Sequence, residues 1–550
     1  MKFLKVLINS FMSAVLFSSL IALLIYDLNI QMNFHFSTFS QLTLFIIMTY
    51  GLLIVIFCII IFFIIQFFHG KKIQLPIISP SFLMMSFSLL ILFFCIIFKA
   101  NLNFFQSFFN QQTKPLLKNQ YFMFLFLGSL GLILFYAYYK LRKNQLILLI
   151  YFLCFITVMI FSVHQRKSFP VFHKPGKTAQ LEAKEIDKRI TIIGLEGLSF
   201  DFLIPLINEE KLPNFSWLME EGSWGKLINF TPNEPIILNS SFNSGKLPSK
   251  HRQLSIFKYF LPTLKQEFEV VPRYILLRQF TRINLLLTFL NPTMTDTIDI
   301  WKIFKDNNTT YLKRDWPYSR NLQTPSLESE KSFNRFFDEL IHDGNPLANI
   351  LKQAFYRDFD FEKNVAQKRN ETQPQLTYFM LNGLNTVEVY FYKYSFPEFF
   401  GEISHEDINK YQAVIGNYYK FYDQILGKYL TALKEDELLV IYSPHGIEPL
   451  PVWKRVVEWI LGNTELSATH DLAPNGVVFF FGKEIARGKN VEGISIIDIA
   501  PTLLYYLGLP VGKDMDGIVQ SSIFLNSFTA ENPVFYISSY EEIEIVKSKE

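Results

Sequence analysis

Five long apolar runs near the start of the chain constrain its architecture more than any other feature. A helix needs about 20 apolar residues to cross the hydrocarbon core of a bilayer. Runs of this kind occupy residues 4–26, 41–68, 78–98, 121–139 and 145–163. They predict an α-helical transmembrane domain over residues 1–163, with the lipid bilayer as its first partner. The first run is too long for the apolar segment of a signal peptide and lacks a small-residue cleavage site, so we expect it to remain as a helix.

The basic residues of the short loops predict the orientation of these helices, because Lys and Arg accumulate on the cytoplasmic side. Basic residues precede the first run and follow the second and fourth: Lys2, Lys5, Lys71, Lys72, Lys140, Arg142 and Lys143. Lys99, Lys114 and Lys118 lie on the opposite side. An odd number of spans then places the rest of the chain outside the cytoplasm. We therefore expect a multi-pass protein of the cell membrane with an extracytoplasmic globular domain.

Charge and cysteine content narrow the function classes. The predicted spans carry no Asp, Glu, Lys or Arg near their centres, which a transport path would normally need, so an anchor is favoured over a transporter subunit. The net charge of +3 gives no reason to expect nucleic acid as a partner. All three cysteines, Cys58, Cys95 and Cys154, lie inside the apolar runs, so the globular part has neither disulfides nor thiolate metal ligands.

Beyond a polar linker at residues 164–188, short apolar strands alternate with helical patterns over residues 189–550. The segments "RITIIGLEG", "PQLTYFMLNG" and "LLVIYSPHG" each end in a polar turn. This alternation predicts an α/β domain with a mainly parallel sheet. Ligands bind at the carboxyl ends of such strands, where Glu196, Asn382–Asn385 and Ser443–His445 fall. The strand ends are therefore the predicted site.

Longer segments of the same region resemble the type I phosphodiesterase/nucleotide pyrophosphatase family of the alkaline phosphatase superfamily. The opening "IIGLEGLSFDFLIPLINEEKLPNFSWLMEEGSWGKL" resembles that of the family, and "SGKLPSKH" is similar to the "TGxxPxxHG" that follows its nucleophile. The segments "IWKIFKDNNTTYLKRDWPYS", "THDLAPNGVVFFFG" and "VEGISIIDIAPTLLYYLGLPVGKDMDG" are similar to later blocks. The resemblance covers residues 189–525, apart from a deviating stretch at 253–295. It implies an alkaline-phosphatase-like sandwich.

The resemblance also implies a chemistry, in which two divalent metals, usually zinc, flank a Thr or Ser nucleophile and polarise a phosphate or sulfate ester. The family's first metal-binding Asp corresponds here to Glu196, and its nucleophile to Pro235. Proline has no nucleophilic atom. The hydroxyls of Thr231, Ser240 and Ser241 are near in sequence but occupy other positions.

The remaining ligand positions of the family are only partly kept. An Asp and the His four residues after it correspond to Asn385 and Val389, and a further Asp corresponds to Pro444. Two histidines, His445 and His470, match without change. We therefore expect no bound cofactor, or at most one weakly held divalent metal, with zinc the expected ion. Its ligands would be the remnant set of Glu196, His445 and His470.

Each of these residues also has a structural interpretation. Glu196 is either a remnant ligand or a strand-end carboxylate that accepts backbone hydrogen bonds, and the two histidines are either a metal pair or hydrogen-bonded core residues. The cluster from His405 to Asp407 is expected to open a helix, and Asp498 to cap one. The aromatic run "VEVYFYKYSFPEFF" is expected to pack in the core and on the membrane-facing side, or to line a lipid or glycan groove.

The sequence therefore favours a pseudoenzyme that is anchored in the membrane and has a binding or assembly role at the cell envelope, with an envelope protein, a lipid or a glycan as partner. The alternative is an active metal-dependent phosphodiesterase or phosphoryl-group transferase with a remodelled site. Five helices followed by an outer domain of this superfamily also resemble the architecture of lipid-directed phosphoethanolamine transferases.

Overall fold

The computed structural model describes residues 2–69, 76–141, 144–169, 176–262, 266–282, 284–290, 297–314, 325–340, 344–473 and 475–546. Lys71, Lys72, Arg142 and Lys143, part of the predicted linker (170–175) and the end of the "IWKIFKDNNTTYLKRDWPYS" block lie outside these ranges. The described residues form two compact units. Unit 1 comprises residues 1–173 and 252–294, and unit 2 comprises residues 174–251 and 295–550. The predicted limits of 1–163, 164–188 and 189–550 stay predictions.

Unit 1 begins with five helices that are long and apolar enough to cross a membrane, as predicted. They are α1 (Lys2–Leu28), α2 (Phe36–His69), α3 (Pro80–Phe104), α4 (Thr113–Lys140) and α5 (Gln145–Lys167). Within the apolar windows of α1 and α3, 72% of the residues are buried, against 28%, 28% and 22% in α2, α4 and α5. Helices α1 and α3 therefore form the centre of the bundle, and the other three present most of their surface to the surroundings.

Arg166, near the end of α5, ties that helix to the end of α1. Its Nε donates to the carbonyl of Tyr26 at 2.9 Å, and its NH2 group donates to the carbonyls of Asn29 and Met32 at 3.0 and 2.8 Å. The last carbonyls of a helix have no partner inside the helix, so a guanidinium that reaches several of them stabilises the helix end. We therefore interpret Arg166 as a structural residue.

The stretch that deviates from the family pattern is the second part of unit 1. It contains a three-stranded antiparallel sheet of β4 (Phe257–Leu261), β5 (Gln266–Phe268) and β6 (Leu287–Leu290), in the order β5-β4-β6. Side chains of the helical bundle bind its backbone. Asn29 accepts from the amides of Glu269 and Val270, and Asn101 accepts from the amide of Arg273 at 2.8 Å. Both asparagines also donate back, to the carbonyls of Val270 and Arg273.

Unit 2 is built on a seven-stranded sheet in the order β13-β3-β12-β9-β2-β8-β7, in which only β12 is antiparallel to its neighbours. The remaining strands of the chain are β1 (Ala179–Glu182), β2 (Arg189–Leu195), β3 (Ser223–Leu227), β7 (Tyr311–Arg314), β8 (Leu376–Leu381), β9 (Glu437–His445), β10 (Glu448–Pro449), β11 (Ala468–Thr469), β12 (Asn475–Phe481), β13 (Lys489–Asn490), β14 (Val511–Gly512), β15 (Tyr536–Ile537) and β16 (Ile543–Val546). The predicted mainly parallel sheet is confirmed.

Helices cover both faces of this sheet. Successive strand side chains point to opposite faces, so each face has apolar side chains that pack against helices. In β2, Ile193 and Leu195 join the core on one side, whereas Ile190 and Ile192 join the core on the other. The helices of unit 2 are α6 (Phe200–Asn208), α7 (Pro213–Glu221), α8 (Pro235–Ser244), α9 (Pro248–His251), α10 (Ile300–Asp306), α11 (Leu327–Phe336), α12 (Pro346–Thr372), α13 (Gly383–Ser395), α14 (His405–Tyr411), α15 (Val414–Thr431), α16 (Val452–Ile460), α17 (Ile499–Tyr506) and α18 (Asn526–Glu531). The layers form the expected α/β sandwich.

Candidate functional site

The polar strand ends meet at one edge of the sheet, as predicted. Strand β2 lies between β8 and β9 and runs parallel to both, so the residues that follow these strands are neighbours. Glu196 follows β2, Asn382 follows β8, and His445 ends β9. The amide of Glu196 donates to the carbonyl of Leu381 at 2.9 Å, which holds the first two turns together.

Both oxygens of the buried Glu196 carboxylate are engaged inside the protein. Oε1 lies 3.2 Å from Nε2 of His445, and Oε2 accepts a hydrogen bond from the side-chain amide of Asn382. The other ring nitrogen of His445, Nδ1, lies 2.9 Å from the carbonyl oxygen of Gly446. A carbonyl only accepts, so Nδ1 carries a proton, and a hydrogen bond at Nε2 needs a second proton on the ring or on the carboxyl group. Glu196 and His445 therefore share the proton of the hydrogen bond that joins them, in addition to the proton on Nδ1.

His470 completes the predicted group of three. Its ring stacks on that of His445, with the ring centroids 4.8 Å apart and the planes inclined by 25°. Its carbonyl accepts a hydrogen bond from Asn233 in the loop before α8. The predicted proximity of Glu196, His445 and His470 is therefore confirmed, whereas their role as metal ligands stays a prediction.

Pro444 lies inside β9, at the position that corresponds to a metal-binding Asp in the family. Its carbonyl accepts from the side-chain amide of Asn229 at 3.2 Å. The neighbouring strand β12 approaches so closely that a Cβ on Gly476 would lie 1.8 Å from the carbonyl oxygen of Ser443. Pro444 therefore contributes a carbonyl to the packing of the strand end, and no carboxylate.

Pro235, at the nucleophile position, is the first residue of α8. Proline suits a first helical position because its missing N–H has no partner there. Of the nearby hydroxyls, that of Ser241 is buried and lies 2.8 Å from Nε2 of His251. Burial lowers the pKa of His251 to about 3, so the ring is neutral and the pair joins α8 to α9. Ser240 and Thr231 are half-buried.

Helix α13 carries Asn385 and Val389, the two residues at which the resemblance predicts an Asp and a His. The amide of Asn385 donates to the carbonyl of Glu196 at 3.2 Å, and within the described residues its Oδ1 has no hydrogen-bond partner. The backbone carbonyl of Val389 accepts hydrogen bonds from the amide and the hydroxyl of Ser467, at 2.8 and 3.1 Å. Backbone contacts therefore connect α13 to the loop that carries His470.

Glu388 belongs to this region and was missed by the sequence analysis, which considered only the neighbouring position 389. Its side chain is fully buried, and a Cβ on Gly197 would lie 2.5 Å from its Oε2. The hydroxyl of Tyr419 lies 3.4 Å from its Oε1, and no hydrogen bond reaches Oε2 from the described residues. Burial raises the pKa of Glu388 well above the usual value of a glutamate. The only signal in the sequence was a Glu three residues after Asn385, on the same face of a helix.

Other polar residues singled out in the sequence have structural roles. Asp498 accepts hydrogen bonds from the amides of Ser495 and Ile518, both at 2.8 Å, which is the predicted structural contact, whereas its side chain makes no capping hydrogen bond to the described residues of α17. His405 begins α14, as predicted, and is exposed. In the aromatic run, Phe391 and Tyr394 are buried in the core.

The donor set does not fit a pair of zinc ions. A catalytic zinc site uses about three protein ligands, so two ions need roughly six. Of the positions that correspond to family ligands, Val389 and the side chain of Pro444 offer no donor. A single ion is chemically compatible with one pair of residues. Two ligands about 2 Å from a tetrahedral zinc lie roughly 3.3 Å apart, and Glu196 Oε1 and His445 Nε2 are 3.2 Å apart.

The comparisons agree with this architecture. The family described as type I phosphodiesterase/nucleotide pyrophosphatase matches residues 190–460, and the chain is similar to this family over that region. No curated protein sequence matches the chain.

The solved structures that match this chain have low sequence identity to it. Murine ectonucleotide pyrophosphatase/phosphodiesterase 5 is 11% identical with a TM-score of 0.36, and it covers 58% of this chain and 95% of its own. The human protein of the same name is 12% identical with a TM-score of 0.37, covering 61% and 98%. A phosphonate monoester hydrolase from Silicibacter pomeroyi is 14% identical with a TM-score of 0.36, covering 62% and 76%. The fold assignment therefore rests on the observed sheet and on the family match.

Proposed function

We propose that this protein is a membrane-anchored pseudoenzyme of the type I phosphodiesterase family, which binds a ligand or a partner at the cell envelope and does not cleave phosphate esters. The observation that carries the proposal is Pro235 at the start of α8. Catalysis in the family passes through a covalent intermediate on a Thr or Ser at this position. Proline cannot form such an intermediate, and the Ser241 hydroxyl is buried against His251.

The strand-end residues support the same proposal. A metal pair lowers the pKa of the nucleophile and neutralises the developing oxyanion, and it works as a unit with the nucleophile. Here the Glu196 carboxylate is bound by His445 and Asn382. Losing several members of such a unit leaves little beyond binding.

Hydrolysis assays test the proposal directly. The full chain, purified in detergent, would be incubated with aryl phosphodiester, phosphomonoester and sulfate ester substrates, with and without Zn²⁺ or Mn²⁺. We expect no turnover above that of a His445→Ala, His470→Ala double variant. We also expect Pro444→Asp alone to remain inactive, because Pro235 and Val389 are unchanged. Turnover that disappears in the double variant would contradict the proposal and direct attention to Thr231 and Ser240.

A second candidate, an active enzyme with one remnant metal, is favoured by the 3.2 Å separation of Glu196 and His445. Elemental analysis of the purified chain distinguishes the two. The pseudoenzyme predicts less than one equivalent of zinc, unchanged in the His445→Ala, His470→Ala variant. A full equivalent that is lost in that variant would support the remnant metal.

We also propose that unit 2 lies outside the cytoplasm, on the basis of the loop charges. A reporter enzyme fused after Lys167, at the end of the fifth helix, would test this. Activity of a reporter that works only outside the cytoplasm is expected. Activity of a cytoplasmic reporter would reverse the orientation.

A further inference from the structure

Helix α16 (Val452–Ile460) presents its apolar side outwards, which reverses the usual arrangement of a surface helix. Four of its apolar residues are strongly exposed: Val452 (66%), Val456 (51%), Trp459 (70%) and Ile460 (69%). They recur at the spacing of one helix face. The charged residues Lys454, Arg455 and Glu458 are the ones that are partly covered. On a surface that faces water this arrangement does not stabilise the protein, because the apolar area of the helix stays in contact with water.

The charged side of α16 is fixed to unit 2 by specific contacts. Lys454 pairs with Asp471, the residue that follows His470. Arg455 donates to the carbonyl of Phe399 at 3.0 Å and lies over the ring of Phe400. The orientation of the helix is therefore set by its polar contacts, and its apolar face is held outwards.

Two segments that contact the charged side of α16 carry further exposed apolar side chains. Phe399, whose carbonyl binds Arg455, is 50% exposed, and Leu472, next to Asp471, is 52% exposed. The exposed apolar face of α16 is of the kind that marks an interaction site for protein or membrane. The two tryptophans of α16, Trp453 and Trp459, are of the type enriched at the boundary between lipid headgroups and acyl chains.

We propose that α16 lies on the surface of the membrane that anchors the chain, with its apolar face in the interfacial layer. Unit 2 cannot move far from a bilayer, because the five helices belong to the same chain. Only residues 168–178 join α5 to β1, and they reach at most about 40 Å when fully extended. The chain also passes between the two units after residues 251 and 294.

This tethering explains how so short a helix can bind lipid. A free helix with few apolar side chains binds a bilayer weakly and reversibly. Attachment to the membrane converts its docking into an intramolecular event with a high effective concentration. A second copy of the chain or a soluble partner would have to meet the same face by diffusion, so the bilayer is the favoured occupant.

The connectivity links this surface to the candidate site. Helix α16 lies between β10 and β11, in the segment that joins His445 to His470, and β10 pairs with β11. Docking of α16 would therefore hold the two histidines near the headgroup layer.

Tryptophan fluorescence provides the test, because all six tryptophans of the chain follow residue 173 and none belongs to the five apolar helices. The full chain would be reconstituted in phosphatidylcholine vesicles with plain or brominated acyl chains, since bromine quenches tryptophan on contact. We expect lower emission in the brominated vesicles. We expect this difference to disappear almost entirely in a Trp453→Phe, Trp459→Phe double variant, which keeps the apolar surface and the fold.

Trp217→Phe serves as the matched control, because Trp217 is 41% exposed but lies on α7. We expect this variant to keep the full difference between the two kinds of vesicle. Equal emission of the wild type in both would overturn the proposal, as would quenching that persists in the double variant. Crosslinking between copies through Val456→Cys, without quenching, would assign the face to a second copy of the chain instead. None of these results depends on hydrolytic activity.

Discussion

Two buried carboxylates near the start of α13 differ in how well they are satisfied. Asp358, on α12, accepts from the hydroxyls of Tyr418 and Tyr422 at 2.7 and 2.8 Å and from the amide of Gly383. Glu388, on α13 itself, lies 3.4 Å from one hydroxyl, and its Oε2 receives no hydrogen bond from the described residues. The first carboxylate is fully used by the fold, whereas the second is not.

The difference indicates that Asp358 has a structural role, whereas the hydrogen bonds of the fold do not account for Glu388. Asp358 fixes the backbone at the beginning of α13, where a Cβ on Gly383 would lie only 1.9 Å from the Tyr418 hydroxyl. Glu388 lies beside Gly197, at the edge where the family binds its metals. Incompletely satisfied buried groups are costly and need an explanation other than stability.

The largest expected effect is a dependence of stability on pH. Burial raises the pKa of Asp358 to about 7, against 3.8 for an ordinary aspartate. The folded state therefore binds the Asp358 proton more tightly than the unfolded state does. The stabilisation that results from this difference is complete below pH 4 and is lost as the pH rises towards 7. The linkage amounts to about 4 kcal/mol. Unfolding of the full chain in detergent, measured from pH 4 to 8, checks this.

Asp358→Asn is the reference for that measurement, because it cannot titrate. Glu388 contributes to the pH dependence of stability with the same sign as Asp358. Its contribution is present in both proteins, so it cancels in the difference between them. Equal pH slopes for wild type and variant would show that Asp358 does not ionise within this range.

Asp358→Ala is expected to lower the free energy of unfolding of unit 2 by about 3 kcal/mol, because two tyrosine hydroxyls and one amide lose their acceptor inside the protein. Tyr422→Phe, which removes one of these hydrogen bonds and its donor together, should cost about 1 kcal/mol. Thermal unfolding of both variants at pH 6 gives the comparison. Equal losses would mean that the hydrogen bonds from Tyr418 and Gly383 add nothing once that from Tyr422 is lost, which would contradict the expected difference.

Glu196→Ala is expected to cost about 2 kcal/mol, since it leaves the buried His445 without the partner of its Nε2 atom. A Glu196→Gln variant keeps the volume and one acceptor, so it should lose less. The NMR chemical shifts of the His445 ring nitrogens should change in both variants. Unchanged shifts would contradict the shared proton.

Glu388→Gln has the smallest expected effect, less than about 1 kcal/mol at pH 7. Burial raises its pKa and so favours the protonated form, and glutamine has nearly the same shape and charge as that form. The variant should become more stable than the wild type as the pH rises further, because the wild type must then ionise a buried group. A loss of more than 2 kcal/mol at pH 7 would show that Glu388 has a partner that depends on its charge.

The sequence was sufficient for features that depend on periodicity. The five apolar runs predicted the helices, and short apolar strands with polar ends predicted the sheet and the grouping of Glu196, His445 and His470. Helices α6 and α7 are separated by residues 209–212, where Glu210 has a positive φ of 59° and Leu212 precedes Pro213.

Features that depend on the tertiary environment could not be predicted. Glu388 is noticeable only because Gly197 approaches it closely in the folded chain. The reversal of α16 depends on where Asp471 and Phe399 lie, which the helix itself does not encode. The contacts of the 252–294 stretch come from Asn29 and Asn101, single polar residues without any periodic pattern.

The grouping of residues 252–294 with the apolar helices has a consequence for how the protein is made. Strands β2 and β3 are synthesised before this stretch, and β8, β9 and β12 after it. The sheet of unit 2 therefore cannot be completed until the ribosome has passed a segment whose hydrogen-bonding partners, Asn29 and Asn101, have already been synthesised. Long-range pairings of this kind form slowly. A fragment that starts at Arg189 would carry the stretch without those partners, so the two units are expected to mature together as one translation product.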